Sequence, residues 1–548
     1  MRQARATGNA RLLDAAIALQ KWSDHIAYPD GAWETEPTGT SCRENTVFGV
    51  AALGEAIRHH GDLLEDDVRT RWMERLRLGA EYVYVHPSGR DSFIHFTIGG
   101  ALALVISGEV LDDMRYIERA RDLLYASLGQ FTLPNRLLYG EGYPQGGRTP
   151  TGCRPVDIGY NVEVSLPALA LYGQLTRDED VLDLCETSLK QHLEFMLPDG
   201  SWDNSWGTRN GEWTYWGART GRGAFAAYLL LAGRSPEFGE AARRHLMRLS
   251  DSTHAGMLHP GLHSAHKNQA PCALHTITHA VGLATVLDLD LVDTYIAADT
   301  VLSCDEAGGV RHYPEVGVHL ATSGPWRATV SNYDWHLLPQ GHAAGGSMTL
   351  LWHQQLGPIV LGSMTKYQAL EHSGMPHHAE GDPLCHTPHL AFARDGKIYH
   401  SLNDNDADVS HNTETNELRV SGRLRDAAGS DPENGAIGFT MTYQFTDDTV
   451  ALTVQCDPVG DEADLIFSVP IVADQAETID EDGEGGYLLH KAGGPLYLKT
   501  SAPGGFEPIE EPSFNHVPGV STLPLAIMAT GGWAHPVTVT LQIESTHQ

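Results

Sequence analysis

Three things are scarce in this 548-residue chain, and each scarcity removes a class of function. No two cysteines stand in CxxC spacing. The seven that occur, Cys42, Cys153, Cys185, Cys272, Cys304, Cys385 and Cys456, are scattered and odd in number, which argues against a disulfide framework or a cysteine-rich zinc site and fits a reducing compartment. No run of 18 or more apolar residues occurs, and the opening MRQARATGNARLLDAAIALQKW has a helical pattern without a signal-peptide core, so a soluble, cytoplasmic protein is expected. Positive charge is short as well, with 37 Lys and Arg against 70 Asp and Glu. A formal charge of −33 excludes a general nucleic-acid or anionic-membrane binder, because such surfaces need net positive potential. Any anionic partner must therefore be met by locally concentrated Arg and His. The 29 His residues account for a sequence pI near 5.2, since most are protonated there.

Nucleotide signatures are also missing. There is no GxxxxGK[ST] phosphate loop and no GxSxG elbow, and the glycine pairs Gly99-Gly100, Gly146-Gly147 and Gly485-Gly486 lack the strand-turn-helix context of a dinucleotide fingerprint. No nucleotide cofactor is expected.

What is present describes a large globular protein, 41% apolar with 57 Gly, long enough for two or three domains. Two regimes divide it. Up to about Leu289, apolar residues recur at three- and four-residue steps in Arg11 to Ile26, Asn45 to His60, Asp66 to Val85, Phe93 to Leu111, Asn161 to Leu175, Asp178 to Met196, Ala224 to Gly233, Glu237 to Leu249 and His275 to Leu289, so this half is helical. From about Gly309, short runs rich in Val, Thr, Ile and aromatics, such as GFTMTYQFTDDTVALTVQC and TVTLQIES, are punctuated by Gly, Pro and Asp, the pattern of an antiparallel sandwich. The boundary falls between Asp290 and Gly309, giving expected domains of residues 1–300 and 301–548.

Alternate helices open on polar clusters: Arg43-Glu44-Asn45, Ser92-Phe93-Ile94-His95, Tyr160-Asn161-Val162-Glu163, Arg219-Thr220-Gly221-Arg222 and His275-Thr276-Ile277-Thr278-His279. Their spacing of roughly 50 to 70 residues is that of two helices with their connections. A repeated two-helix unit closing on itself gives an α/α toroid whose inner helices begin at one rim, so the five clusters are expected to meet at one mouth. Helix N-termini gathered there favour an anion. Taken singly, each cluster is equally well an ordinary N-cap or a solvated loop end.

The most telling stretch is LPDGSWDNSWGTRNGEWTYWGARTGRG, Leu197 to Gly223. Its roughly 27 residues have neither helical nor strand period and interleave four Trp and one Tyr with three Arg. A loop of that length inside a domain is usually functional. Trp and Tyr supply stacking faces, Arg a fork that matches carboxylates and Asn amide donors, which together suit a sugar acid.

Two motifs resemble a known architecture. Asp199-Gly200-Ser201-Trp202 followed by Tyr215-Trp216 is similar to the DGS(H/W)…Y(H/W) loop of the heparinase II/III-like polysaccharide lyases. Gly341-His342-Ala343-Ala344-Gly345-Gly346-Ser347, with Leu350-Leu351 and Gly357, is similar to the H-A-D-A-G-S…G segment that opens their sandwich, with Ala344 where that pattern commonly has Asp. The resemblance implies an incomplete α/α toroid followed by a C-terminal antiparallel β-sandwich, acting as a lyase on a uronate-containing glycan.

Elimination across a uronate requires neutralisation of the C6 carboxylate, a base for the C5 proton and an acid for the glycosidic oxygen. Asn161 with Arg209 or Arg219 can neutralise. Tyr215 is the expected acid and a candidate base, with His275, His279 and His342 as alternative bases. By the resemblance, Asn161, Tyr215 and His342 match by motif; His275 and the arginines are placed by loop position alone. Trp202, Trp206, Trp216, Arg209, His279, Glu163, Arg43 and His95 are the expected substrate contacts. Duller readings stand beside these: Tyr215 as packing between Trp213 and Trp216, and Asn161 as an N-cap. No metal is expected at His275 and His279, which read His-Thr-Ile-Thr-His where a zinc peptidase has HExxH. His386 and His389 in HTPH, near His377 and His378, are candidates for a structural divalent metal in the sandwich.

Two other functions remain open from sequence. One is a glycoside hydrolase of exo-β-glucuronidase type on the same scaffold, with its two carboxyl groups drawn from Glu44, Glu163, Asp203 and Glu212. The other is a glycan-binding protein without turnover. If the protein is cytoplasmic, a short imported acidic oligosaccharide cut from its end is the expected substrate, with Trp335, His336 and His342 walling one side of the cleft. A homodimer is expected, to be checked by light scattering.

Overall fold

The computed structural model describes residues 1–548 apart from 35–42, 87–91, 143–145, 211–214, 216–225, 260, 292–299, 307, 336–342, 363–384, 509–511, 516–518 and 545–548. After two N-terminal helices, α1 (Arg2–Thr7) and α2 (Ala10–Ser23), helices alternate between an inner and an outer layer. The inner set is α3 (Thr46–His60), α5 (Ile94–Leu111), α7 (Ile158–Tyr160) continuing through a π-turn (Asn161–Ser165) into α8 (Leu166–Thr176), α10 (Ala226–Leu230) and α12 (Ala273–Asp288). The outer set is α4 (Asp66–Val85), α6 (Met114–Ser127), α9 (Glu179–His192) and α11 (Pro236–Asp251).

Composition decides which layer a helix joins. In α5 fifteen of eighteen residues, Ile94 to Gly108, are buried, because the helix is apolar all round and has neighbours on every side. By length and composition it could also cross a membrane; here it is a core helix. By contrast α6 buries only Tyr116, Ala120, Leu124 and Ser127, one stripe at three- and four-residue steps. Its charged residues mask that stripe, and α6 is the outer helix that the apolar pattern of the sequence does not announce. Residues of all five inner helices, among them Phe48, Leu102, Val164, Leu230 and Val281, line a cavity of about 60 Å³ on the toroid axis. The ring is tied at one end by Asp288 of α12, which accepts hydrogen bonds from Arg2 (2.6 Å) and His60 (2.9 Å).

The described strands of the second half are all antiparallel and form three sheets. The first is a five-stranded meander of Gly309–Tyr313, Val318–Ser323, Trp326–Ser331, Ser347–His353 and Gly357–Leu361. A second five-stranded sheet is centred on Gly460–Val472 and Val520–Gly531, and an eight-stranded sheet runs from Asp408–Asn412 to Thr478–Glu481. In Gly438–Phe445 and Thr449–Cys456 burial alternates, with Phe439, Met441, Tyr443, Phe445, Val450, Leu452 and Val454 inward, as period-two strands with one wet face require. Ser347–His353 breaks that rule and is buried at every position. Its Met348 and Leu351 join the core between the sheets, while Leu350 and Trp352 pack on Leu197 and Tyr215 of the toroid. Further ties cross the same seam: Arg244 forks onto Asp305 at 2.6 Å through both terminal nitrogens, and Glu315 accepts from Thr132 (3.0 Å) and Asn135 (2.9 Å). The helical half and the strand half thus share one buried boundary beside the toroid mouth.

Candidate active site

The aromatic loop is anchored to the mouth by a reciprocal pair of polar side chains. Asp157 caps α7 by accepting from the Tyr160 N–H (2.9 Å), and its other oxygen accepts from Asn204 (3.1 Å) and from the Arg209 backbone N–H (2.8 Å). Asn204 in turn accepts from the backbone N–H groups of Ile158 (2.9 Å) and Gly159 (3.3 Å). The orphan donors of an inner-helix N-terminus are thereby satisfied by the loop that carries Arg209. Gly207 makes the approach possible, since a Cβ there would stand 2.4 Å from Asn204 Oδ1 and 2.9 Å from Asp157.

Arg209 is drawn into an aromatic slot, its guanidinium carbon 4.6 Å from the Phe93 ring centroid and 4.3 Å from that of Tyr160. Beside it, His95 lies on the first turn of α5, its ring stacked on Phe93 (5.6 Å between centroids, 11° between planes) and 5.0 Å from Tyr160. Glu141, fully buried, reaches His95 Nδ1 at 2.8 and 3.0 Å, accepts from the His95 backbone N–H at 3.2 Å, and lies 3.9 Å from Arg209 Nε. With Nδ1 committed to Glu141, Nε2 is the ring nitrogen of His95 that makes no hydrogen bond among the described residues.

A second carboxylate–imidazole pair stands on the same rim. Glu163, fully buried on the π-turn, is 3.4 Å from His279 Nε2 on α12, and His279 Nδ1 donates to the His275 carbonyl at 2.7 Å. Burial pushes the Glu163 carboxyl up to about 7, opposed by His279. The π-turn inserts one extra residue per turn and swings Glu163 toward α12; such bulges recur at functional sites. His275, the other expected base on α12, is paired through Nδ1 with the Cys272 thiol at the helix N-cap.

Tyr215 occupies a third position. Its backbone pairs with Asp203, its ring packs in the seam with the sandwich, and its hydroxyl donates to Asp199 (2.8 Å) while accepting from Ser201 (2.9 Å). Burial and the Asp199 carboxylate hold the phenol well above its ordinary range, so it keeps its proton. The Asp199-Gly200-Ser201 turn has its own reason for glycine: Gly200 has φ +85°, and a Cβ would meet the Arg244 carbonyl at 2.4 Å.

Several expected contacts lie elsewhere. Asn161 is a correction: it is fully buried, and its amide donates to the Leu138 carbonyl (2.8 Å) and to His192 Nε2 (3.0 Å) on outer helix α9, so it packs the two layers and does not face a substrate. Trp202 and Trp206 are corrected likewise. They are 1% and 0% exposed and pack on Tyr228, and on Phe195 and Tyr333, as core rather than stacking platforms. Arg43 stays on the rim, paired with Asp30 (2.9 Å) and resting over Tyr28. Of the expected wall, Trp335 packs against Gly142, where its Nε1 would stand 2.4 Å from a Cβ. Arg219, Trp213, Trp216, Glu212, His336, His342, His377 and His378 lie outside the described residues.

Of the carboxylates named for hydrolysis, Glu163 and Asp203 are buried among the described residues. Asp203 is buried in the seam, accepting from the Ser205 N–H and the Thr329 hydroxyl, while Glu44 is exposed. As for a metal in the sandwich, His389 Nδ1 donates to the Thr387 carbonyl (2.7 Å) and packs on His400, and among the described residues no three His, Cys, Asp or Glu converge as ligands. Sequence reasoning missed Glu141 altogether. It sits between two glycines in a connection without periodicity, and the signal available was the Gly-Glu-Gly itself: Gly140 has φ +127°, and Gly142 admits Trp335.

Comparison with known proteins bears on the family and the fold. The ulvan lyase N-terminal domain model matches residues 1–302 and the ulvan lyase C-terminal domain model residues 310–544. A broad-specificity ulvan lyase of Formosa agariphila is 31% identical over 536 residues, covering 95% of this chain and 83% of that protein. In fold, the chain resembles the chondroitin AC lyase of Streptomyces coelicolor A3 in complex with chondroitin sulphate (TM-score 0.56, 12% identity, 99% of this chain and 72% of that one). It also resembles a Paenibacillus xanthan lyase (TM-score 0.57, 11% identity, 99% of this chain and 51% of that one). The toroid, the sandwich and the matches over both halves make the chain a member of the ulvan lyase family, a polysaccharide lyase acting on uronic-acid-containing glycans.

Proposed function

We propose that the chain depolymerises an ulvan-type polysaccharide by β-elimination at a uronate bound in the toroid mouth. The observation that carries this reading is His95, whose Nδ1 is held by Glu141 and whose Nε2 is left as a base on a rim built from helix N-termini. Nε2 takes the C5 proton, the C5–H electrons form the C4=C5 double bond, and the C4–O bond breaks. Tyr215, which keeps its proton, gives it to the departing oxygen. Charge gathering on the C6 carboxylate is met by the positive ends of the inner-helix dipoles and by the Arg209 charge nearby. The burial of Arg209 between two rings supports a role as a fixed electrostatic source.

The test is to incubate the purified protein with ulvan, following ultraviolet absorbance of the unsaturated uronate together with new reducing ends. The two signals should rise in step. New ends without absorbance would mean hydrolysis and would sink the proposal. Tyr215→Phe leaves the ring in its seam and removes the hydroxyl, so kcat should fall by about 100-fold if it is the acid. Parent-like turnover in that variant would reduce the Asp199 bond to a structural tie.

A further inference from the structure

We infer that Glu141 is a positioning residue for elimination, holding His95 in the one tautomer that leaves Nε2 free to accept a proton. The inference rests on the reading of His95 as base and goes beyond it by naming the group that makes it one.

An imidazole has two nitrogens, and when it is neutral only the unprotonated one is a base. Glu141 offers acceptor oxygens alone when ionised, so the nitrogen facing it must carry the proton. Both carboxylate oxygens are spent on His95: one at 2.8 Å from Nδ1, the other at 3.0 Å from Nδ1 and 3.2 Å from the backbone N–H. This grip on ring and main chain fixes the side chain relative to the helix axis. It also places negative charge at the N-terminus of α5, where Phe93 supplies no side-chain cap, and the neighbouring Gly140 carbonyl accepts the Ile94 N–H at 3.1 Å. Phe93, Phe48 and Phe96 surround the ring, so rotation about Cβ–Cγ is hindered as well.

Among the described residues, the charged and titratable groups that contact His95 or its partner are few. Glu141 faces Nδ1, Arg209 stands behind Glu141 at 3.9 Å, and the Tyr160 ring is 5.0 Å away. Arg209 places a cation 3.9 Å from the buried carboxylate. A buried carboxylate of this kind recurs behind bases in unrelated enzymes because it solves the tautomer problem at the cost of one cation.

Glu141→Gln tests this, since the amide oxygen can still accept from the His95 backbone while the charge is gone and the amide N–H can drive the wrong tautomer. The loss expected is about 100-fold in kcat with KM within about threefold, as for other partners that orient a catalytic group. The acid limb of the kcat/KM profile should move to lower pH, because an imidazolium without its carboxylate is less favoured. Glu141→Asp, which keeps the charge, should recover about tenfold of the loss. His95→Ala combined with Glu141→Gln should be no worse than His95→Ala alone.

A folded Glu141→Gln variant with parent-like turnover and an unmoved acid limb would overturn the inference. So would a lowered melting temperature with the loss confined to KM, which would make Glu141 a helix cap only. If Glu141→Gln fails to fold, Glu141→Asp decides: loss in kcat with normal melting supports positioning, while parent-like kcat overturns it. His95→Ala separates the two readings. Full activity in that variant removes His95 as base, whereas inactivity with a parent-like Glu141→Gln removes only the role of Glu141.

Discussion

His95–Glu141 and His279–Glu163 are the same two side chains on the same rim, yet their surroundings differ. Glu141 receives three contacts from one residue and has Arg209 behind it. Among the described residues Glu163 has one imidazole at 3.4 Å, and its other oxygen has no hydrogen-bond partner. Three contacts hold Glu141 in one place against His95, whereas burial beside one weak partner disfavours the charged form of Glu163, which is why its carboxyl rises to about 7. The pair on α5 is therefore built as a fixed base, and the pair on α12 as a group that can change protonation near neutral pH.

The largest effect should come from testing which histidine is the base. His95→Ala should lower kcat/KM by about 1,000-fold, and His279→Ala by no more than about tenfold, both read from initial rates of unsaturated-uronate formation. The reverse ranking would move the chemistry to α12 and cast Glu163 as the orienting carboxylate. Next in size is a pH effect on stability. Because the folded Glu163 binds its proton up to about 7 while the unfolded side chain releases it near 4.5, its contribution is present below 4.5 and is lost as pH rises through 7. A shift of that size corresponds to about 3 kcal/mol at most. Glu163→Gln, neutral throughout, should lose a few degrees less melting temperature than the parent between about pH 5 and pH 8. Equal losses in the two proteins would show that His279 already compensates the charge. The smallest effect belongs to Arg43, whose pairing with Asp30 is exposed and worth about 0–1 kcal/mol. Arg43→Ala should leave melting unchanged and KM within about twofold; a tenfold rise in KM would extend the substrate contacts to α3.

Much of the architecture was legible. Helical period before Leu289 and strand period after Gly309 separate the two halves, and the inner helices begin close to the polar clusters that mark them, α3 after Arg43-Glu44-Asn45 and α5 at Ile94-His95. Burial within the loop was not legible. Trp202 and Trp206 have the composition of a sugar platform, but the loop folds back under α7 through Asp157 and Asn204 and carries both indoles into the core. Asn161 failed for a related reason. It stands at an inner-helix start as expected, but the π-turn rotates it toward His192 and Glu163 toward His279, and no periodicity announces a one-residue insertion.

By itself the sequence determined the order of helix and strand, the two-layer alternation of the toroid and the supply of polar groups at its rim, because these follow from local periodicity and from which helices are apolar all round. Only the tertiary structure decided which of those polar groups work together. Glu141 and His95 are separated by 46 residues, and Glu163 and His279 by 116. The partner of a buried charge is set by which elements the closed ring brings within hydrogen-bond reach, and a linear pattern does not encode that distance.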